Sequence, residues 1–322
     1  MIHAQAIVVG AGPAGSAAAF ELKKRSVHTL ILDKSVFPRN KVCAGWITPR
    51  VLDLLDLIPR NYPHTMTEFH RLHFHLLGQT LAVKTRQYAI RRYEFDQWMV
   101  NRAKRVGARI HAHRVEKITQ SKGQYIIDDR YSCDFLIGAG GTHCPVQQTL
   151  FNDLHPRSGK GLIAAVEAEY HGKALDRRCH IWFFHDKVPG YGWYLPKQGG
   201  YVNVGIGGKL LKLKHQGRTI MAHWQSFIKT LFDLSILSSI PPHPRGHTYF
   251  LRQPRLHAST RIGNALLAGD AAGLATLDMG EGIAAAIASG IQAAEAVTKG
   301  HPLSLDHLPR FSARSFLYET PP

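Results

Sequence analysis

Cysteine is scarce in this 322-residue chain: Cys43, Cys133, Cys144 and Cys179 are the full set. None stands in a CxxC pair and the spacing fits no zinc ribbon, which argues against a structural zinc and makes a reducing compartment the simpler setting. Long apolar runs are missing as well. No stretch approaches the about 18 uninterrupted apolar residues of a membrane-spanning helix. The first residues carry no basic segment, and a short apolar run reaches a glycine turn almost at once, so a secretory signal is not expected. A cytoplasmic location is, with membrane association left open. Internal repeats and low-complexity linkers are absent; Pro241-Pro242-His243-Pro244 is a short rigid connector.

Acidic charge is also short. Lys and Arg number 40 against 23 Asp and Glu, a formal net charge of +17, with 20 histidines able to add to it in mild acid. Such an excess draws a protein toward acidic ligands or an anionic membrane surface. Nucleic acid is not expected as a partner, because no recognition module and no basic run interleaved with aromatics occurs. His70, His73, His75 and His185 sit in no HExxH context, so no metal site is expected. What remains is ordinary globular composition, 44% hydrophobic and 20% charged, with length for about two domains.

The most informative segment comes first. Residues 4–9 form a short apolar run around Gln5, and Gly10-Ala11-Gly12-Pro13-Ala14-Gly15 follows as GxGxxG. An alanine-rich helical stretch over 16–24 comes next, then a buried strand at 29–32 ending at Asp33. Asp33 lies 18 residues beyond Gly15, near the roughly 20 of a dinucleotide fold. Each residue type has a physical task. Gly10 permits the tight turn, Gly12 lets backbone approach a pyrophosphate, and Gly15 lets helix and strand pack closely. The helix N-terminus offers N–H groups and a positive dipole end to phosphate. Asp33 can accept hydrogen bonds from an adenosine ribose. The same pattern serves FAD and NAD alike.

A second glycine-rich segment lies far along the chain. Ala265 to Ala268 form a short apolar strand, Gly269-Asp270-Ala271-Ala272-Gly273 follows, and Gly280-Glu281-Gly282-Ile283 opens a small-residue helix over 284–297. Asp270 can bond the ribityl chain of a flavin. The helix start at 280–283 can stabilise negative charge on a reduced isoalloxazine. Two such segments on one chain point to FAD.

With these residues the chain resembles the geranylgeranyl reductase family of flavoproteins, within the wider para-hydroxybenzoate hydroxylase-like group. The matching stretches are Gly10 to Ala17, Asp33-Lys34, Lys41-Val42-Cys43-Ala44-Gly45, Arg92 with Phe95-Asp96, Ile137-Gly138-Ala139, Tyr191-Gly192-Trp193-Tyr194-Leu195-Pro196, Val202-Asn203-Val204-Gly205, and Leu267 to Gly290. The resemblance implies an α/β fold: a Rossmann-type FAD-binding domain with an inserted mixed β-sheet substrate (cap) domain. It implies that Gly10, Gly12, Pro13, Ala14, Gly15, Asp33, Lys34, Lys41, Cys43, Ala44, Arg92, Gly269, Asp270, Gly280, Gly282 and Ile283 serve the cofactor. Tyr191, Trp193 and Pro196 would line the substrate pocket, and Cys43 is the one side chain singled out for catalysis.

The chain departs from the family's pattern in its middle motif. Where GADG, a serine and an arginine are usual, Gly140, Cys144 and Gln147 stand. In hydroxylases that segment serves both flavin and NAD(P)H, so the electron donor stays open between NAD(P)H and a protein. The usual proline before the flavin-facing helix is Leu277, and the larger C-terminal domain of longer relatives is not expected after that helix.

Since one cofactor must meet residues near 12, 43, 92 and 270, the FAD-binding domain is expected to be discontinuous. It is assigned to 1–61, 91–159 and 254–300, with a substrate domain of 62–90 and 160–253 and a tail of 301–322. Residues 69–76 alternate as a half-buried strand. Strand-like runs occur at 162–170, 180–184, 193–195 and 201–206, and a helix over 219–232. Helices are also expected at 93–106. A flavin performs its own redox chemistry while protein supplies position and electrostatics. Tyr191, Trp193 and Tyr194 offer apolar faces suited to an apolar, isoprenoid-like substrate. The expected activity is hydride transfer from reduced FAD to a carbon–carbon double bond. The alternatives are an oxygen-using monooxygenase or halogenase, and a non-catalytic flavin protein with a regulatory or electron-carrier role.

Overall fold

The computed structural model describes residues 1–154, 157, 159–252, 260–313 and 315. The expected boundary at 253/254 and most of the 314–322 segment lie outside the described residues. The chain forms two compact units, each assembled from three separate stretches. The first comprises Met1–Arg39, Phe95–Arg157 and Phe250–Phe311; the second comprises Asn40–Glu94, Ser158–Tyr249 and Ser312–Pro322.

The first unit is built on a parallel sheet. The strand Ile2–Val9 lies between Thr29–Asp33 and Tyr131–Gly138, parallel to both, and Ala265–Leu267 and Arg109–Ala112 extend the sheet on either side. The central strands are apolar along their buried stretches because helices cover a parallel sheet; Ala6, Ile7 and Val8 are fully buried. The helix Pro13–Lys24 starts with proline in its first turn and ends with Lys23 and Lys24, as its dipole favours. The helix Ile283–Lys299 presents almost only small side chains inward and stops at Gly300. Small residues let it cross the first helix very closely, since a Cβ at Gly290 would collide with the carbonyl oxygen of Ala14. Beyond it Leu303, Leu305 and Leu308 are buried, and the Arg252 guanidinium donates to the carbonyls of Leu305 (2.8 Å) and Leu308 (2.5 Å).

The second unit is an eight-stranded mixed sheet. Its order runs Arg245–Phe250, Leu162–His171, Tyr201–Lys209, Gly190–Lys197, Cys179–Phe183, Met66–Leu76, Gln79–Ile90 and Trp46–Ile47. The expected strands are all present, most with longer bounds; the run expected at 180–184 is the strand Cys179–Phe183, and Phe184 lies beyond it in left-handed backbone. The Gln79–Ile90 strand, for which no run was expected, closes a long hairpin with Met66–Leu76. One face of the sheet is covered by the helix Ile220–Asp233, capped by Thr219. Its Trp224, Phe227 and Leu231 pack on Trp182, Tyr194, Val204 and Ile206. Gly192 makes room for Phe227, whose ring stands 2.7 Å from where a Cβ would sit. The opposite face carries Tyr191, Trp193 and Glu167, because side chains alternate along each strand.

Candidate functional site

In the first unit the glycine turn has the geometry a dinucleotide needs. Gly10 has φ +106°, and a Cβ there would meet the backbone of Ala139 and Gly140. A Cβ at Gly15 would collide with the Gly10 carbonyl oxygen, so only glycine lets the helix begin against the strand. At Gly12 the space is open, and the nearest group to a Cβ there is Arg39 Nη2 at 3.7 Å. The Asp33 carboxylate receives Ala11 N–H (2.7 Å) and Ser35 N–H (2.8 Å). It thus fixes the turn while keeping acceptor capacity for hydroxyls. Lys34 is exposed.

Arg39 was not anticipated. It pairs with the fully buried Asp96 (Nη2–Oδ2 3.1 Å), while its Nη1 is buried with no hydrogen-bond partner. Asp96 thus does more than complement a helix dipole. A buried guanidinium nitrogen with unmet N–H donors beside an uncrowded glycine is what a phosphate group would satisfy. This is the observation on which FAD fits the turn. Arg39 had one signal, its position just past the second strand's acid.

The second glycine segment meets the first. Gly269 packs on Ala14, with an ideal Cβ 3.0 Å from Ala14 Cβ, and its N–H donates to Ser289 Oγ (2.9 Å). Asp270 follows on a tight turn, and its Oδ1 lies 3.4 Å from a Cβ built at Gly282, the residue that begins the last helix. Gly280 and Ile283 flank that start. The middle motif joins the same group. Arg157 donates to the carbonyls of Thr142 and Ala271, the latter at 2.8 Å. So a guanidinium does reach this segment, from ten residues beyond the position where sequence patterns place it. Cys144 is fully buried with its thiol pushed up by burial, a packing residue against Gly138 and Gly140.

In the second unit, Lys41 to Gly45 form a loop on a buried polar network. Gly45 has φ +72° and its carbonyl accepts Ile90 N–H (2.8 Å). Lys41 Nζ lies 2.6 Å from His247 Nε2. Cys43 is half-buried, the other three cysteines buried; its Sγ accepts Gly45 N–H at 3.4 Å, and Ala44 is half-buried beside it. Arg92 opens the helix Arg92–Arg105 and is 8% exposed.

Beneath that loop are residues the sequence reading gave no role. Asn203 Nδ2 donates to Glu167 Oε2 (2.6 Å) and to the Cys43 carbonyl (3.4 Å), while its Oδ1 accepts Trp193 Nε1–H (2.7 Å). Cys43 N–H also donates to Glu167. Burial pushes the Glu167 carboxyl up to about 7, against the pull of Lys197 and of these hydrogen bonds. Lys197, buried, donates to the Ile90 carbonyl (2.8 Å) and to Glu169 (2.5 Å). Burial works to raise Glu169 too, but Lys197 and Arg91 hold it below the usual range. The alternating glutamates of an otherwise apolar strand were the available signal. Trp193 lies across Gly205, where a Cβ would collide with its indole. Tyr191 is 5.9 Å from Trp193 between ring centroids. Pro196 pairs with Val202 and lies on the other face, with Tyr194 and Val204. Among the described residues no group of His, Cys, Asp or Glu could hold a metal ion.

A parallel sheet with a glycine turn, an open phosphate cradle and a second glycine segment against it defines a FAD-dependent oxidoreductase. Residues 3–299 match the FAD-binding domain family, and the chain belongs to it, among the flavoproteins related to geranylgeranyl reductases. It is 29% identical to the menaquinone reductase of Mycolicibacterium smegmatis, over 92% of this chain and 77% of that one. It is 26% identical to the geranylgeranyl diphosphate reductase of Rhodobacter capsulatus, over 90% and 74%. A geranylgeranyl bacteriochlorophyll reductase-like protein of Thermoplasma acidophilum shares the fold, with a TM-score of 0.80 at 19% identity, over 93% of this chain and 79% of that one.

Proposed function

We propose that this protein reduces a carbon–carbon double bond of an isoprenoid-like compound. The Trp193–Asn203–Glu167 arrangement carries the reading: an apolar aromatic face ending on a buried carboxyl able to hold a proton near neutral pH. Two relatives, named for a menaquinone and a geranylgeranyl diphosphate, support the substrate class.

Gly10, Gly12, Pro13, Ala14 and Gly15 would hold the FAD pyrophosphate together with Arg39, Asp33 the ribose, and Gly269, Asp270, Gly280, Gly282 and Ile283 the flavin end. Lys41, Cys43, Ala44 and Arg92 keep the cofactor role that the family resemblance implies for them, and Lys34 flanks the ribose residue. When bound and reduced, by NAD(P)H or a protein donor, FAD would supply the hydride. Saturating a double bond also consumes one proton, and Glu167 holds one at its carboxyl under the Cys43 loop. Asn203 positions that carboxyl and the indole of Trp193 together. Tyr191 and Trp193 present the surface for the apolar chain.

Product mass tests this. Enzyme loaded with FAD and chemically reduced is incubated with geranylgeranyl diphosphate or a menaquinone. Gain of two hydrogens is expected. Gain of oxygen or halogen under air would replace the reading with a monooxygenase or halogenase, and an unchanged polyprenyl panel would leave the regulatory or carrier role.

A further inference from the structure

One end of the second unit's sheet displays apolar side chains in conformations such residues rarely adopt. The hairpin between Met66–Leu76 and Gln79–Ile90 turns at Leu77 and Gly78. Leu77 has φ +50° and is 90% exposed. On the neighbouring strand, Phe184 follows Phe183 with φ 52° and is 60% exposed. Left-handed backbone favours glycine and asparagine, so leucine and phenylalanine there are strained, and neither gains burial in return. The register places the two turns side by side: Phe74 is opposite Ile181 and His75 opposite Trp182, which brings the hairpin tip level with residues 183–184. Leu76 and Leu81 add further exposed apolar surface on the hairpin.

The same end is basic. The strand Tyr201–Lys209 finishes here, since Gly207 pairs with Tyr191 and Tyr191 with Phe183. The helix Leu210–His215 starts at once and carries exposed Lys212 and Lys214, after exposed Lys209. Its following residues are tied to the turn beside Phe184: Gln216 Nε2 donates to the Lys187 carbonyl (3.1 Å), and Arg218 pairs with Asp186 (2.5 Å). Asp186 is the one acid in residues 184–190 and 209–218, and Arg218 already neutralises it, leaving Lys187, Lys209, Lys212 and Lys214.

We propose that this end docks on an anionic lipid bilayer, with Leu77 and Phe184 inserted at the interface and the surrounding lysines at the headgroups. Apolar tips ringed by lysine combine burial with attraction to negative lipid, the pairing that holds interfacial proteins on membranes. A protein partner would need acidic and apolar surface in the same array; a bilayer presents both without register. Docking goes beyond the redox reading and does not depend on it. Resting on that reading, one consequence follows. Phe74 stacks on Phe183 (5.8 Å), Phe183 meets Tyr191 (5.9 Å) and Tyr191 meets Trp193 (5.9 Å), so an isoprenoid chain leaving the bilayer would find a continuous aromatic stripe.

Sedimentation of the full FAD-loaded chain with vesicles tests docking. Phosphatidylcholine vesicles with and without about one-third phosphatidylglycerol are compared at low and high salt. Binding to the anionic vesicles alone, weakened by salt, is expected. L77N/F184N, with asparagine suited to left-handed backbone, should lower binding at least tenfold with unchanged circular dichroism. K212E/K214E, on an exposed helix, should do the same. Absence of wild-type binding, or wild-type binding by both variants, overturns the proposal. So does a change in oligomeric state in L77N/F184N without a change in vesicle binding, which would make the patch a contact between copies. None of these readings involves turnover, so failure of the reductase reading leaves them intact.

Discussion

Arg39 shows how a single side chain can carry a site. Its buried Nη1 has no partner while its Nη2 is held by Asp96, and an unmet buried donor costs about 1–3 kcal/mol. A phosphate at Gly12 would recover that cost. Removing Arg39 alone would also take its ion-pair partner from the buried Asp96, so the informative variant is R39Q/D96N. It should fold, by circular dichroism, yet bind FAD at least tenfold more weakly by equilibrium titration. Affinity equal to wild type would remove Arg39 from the cofactor site.

Glu167 makes a pH prediction at the same scale. Its carboxyl titrates near 4.5 when unperturbed and at about 7 in the fold. The folded state therefore binds this proton more tightly than the unfolded chain. Its contribution is fully present below pH 4.5 and is lost as pH rises through 7, a span of about 3 kcal/mol at most. His180 acts in the opposite sense: burial lowers it to about 4 despite Asp176. Its cost appears as pH falls from 6.5 through 4, so the two partly offset in the wild type. Urea unfolding of E167Q at pH 4.5 and pH 8 separates them. The variant should gain stability relative to wild type at pH 8 and not at pH 4.5; equal differences at both would mean Glu167 is not held protonated.

At the scale of elements, the crossing of Pro13–Lys24 and Ile283–Lys299 brings the two glycine segments together. G290V forces a side chain onto the Ala14 carbonyl, and overpacking of this kind costs about 1–3 kcal/mol. Lower thermal stability and weaker FAD binding should appear together; loss of stability with unchanged affinity would separate the crossing from the site. In the second unit F227A should cost about 3–5 kcal/mol by denaturant titration, since Phe227 is fully buried between the helix and Gly192.

The elements differ in how far residues alone announced them. The glycine turn was legible because its spacing and residue types answer to one steric problem. The apolar strands were legible through short apolar stretches, and the helix of 284–297 through its run of small residues. The hairpin partner Gln79–Ile90 was not, because its outer half is exposed and mixed in polarity, with no apolar run to mark it. Arg157 and Arg39 were missed for another reason. Each acts on residues distant along the chain, and a lone arginine in a loop has no periodicity to betray it. Glu167 and Glu169 sat in view at alternating positions, but only the register with Asn203 and Gly205 shows which face they share.

For the whole molecule, the chain passes repeatedly between two units, so neither is a contiguous piece of sequence. That interleaving is why the glycine segments near residues 12 and 270, which meet in the first unit, are so far apart in sequence. No helix among the described residues is long and apolar enough to cross a membrane, and the net charge of +17 falls on a fold whose relatives carry names of isoprenoid reductases.

The decisive event is what the reduced flavin does when it meets a polyprenyl double bond. Protein carrying FAD is reduced anaerobically, and the flavin absorbance is followed in a stopped-flow instrument after mixing with geranylgeranyl diphosphate or a menaquinone. Return of the oxidised spectrum in step with the amount of compound added, and slower in W193A, is the predicted result. A flavin that stays reduced with every polyprenyl compound, yet reoxidises once oxygen is admitted, would contradict it.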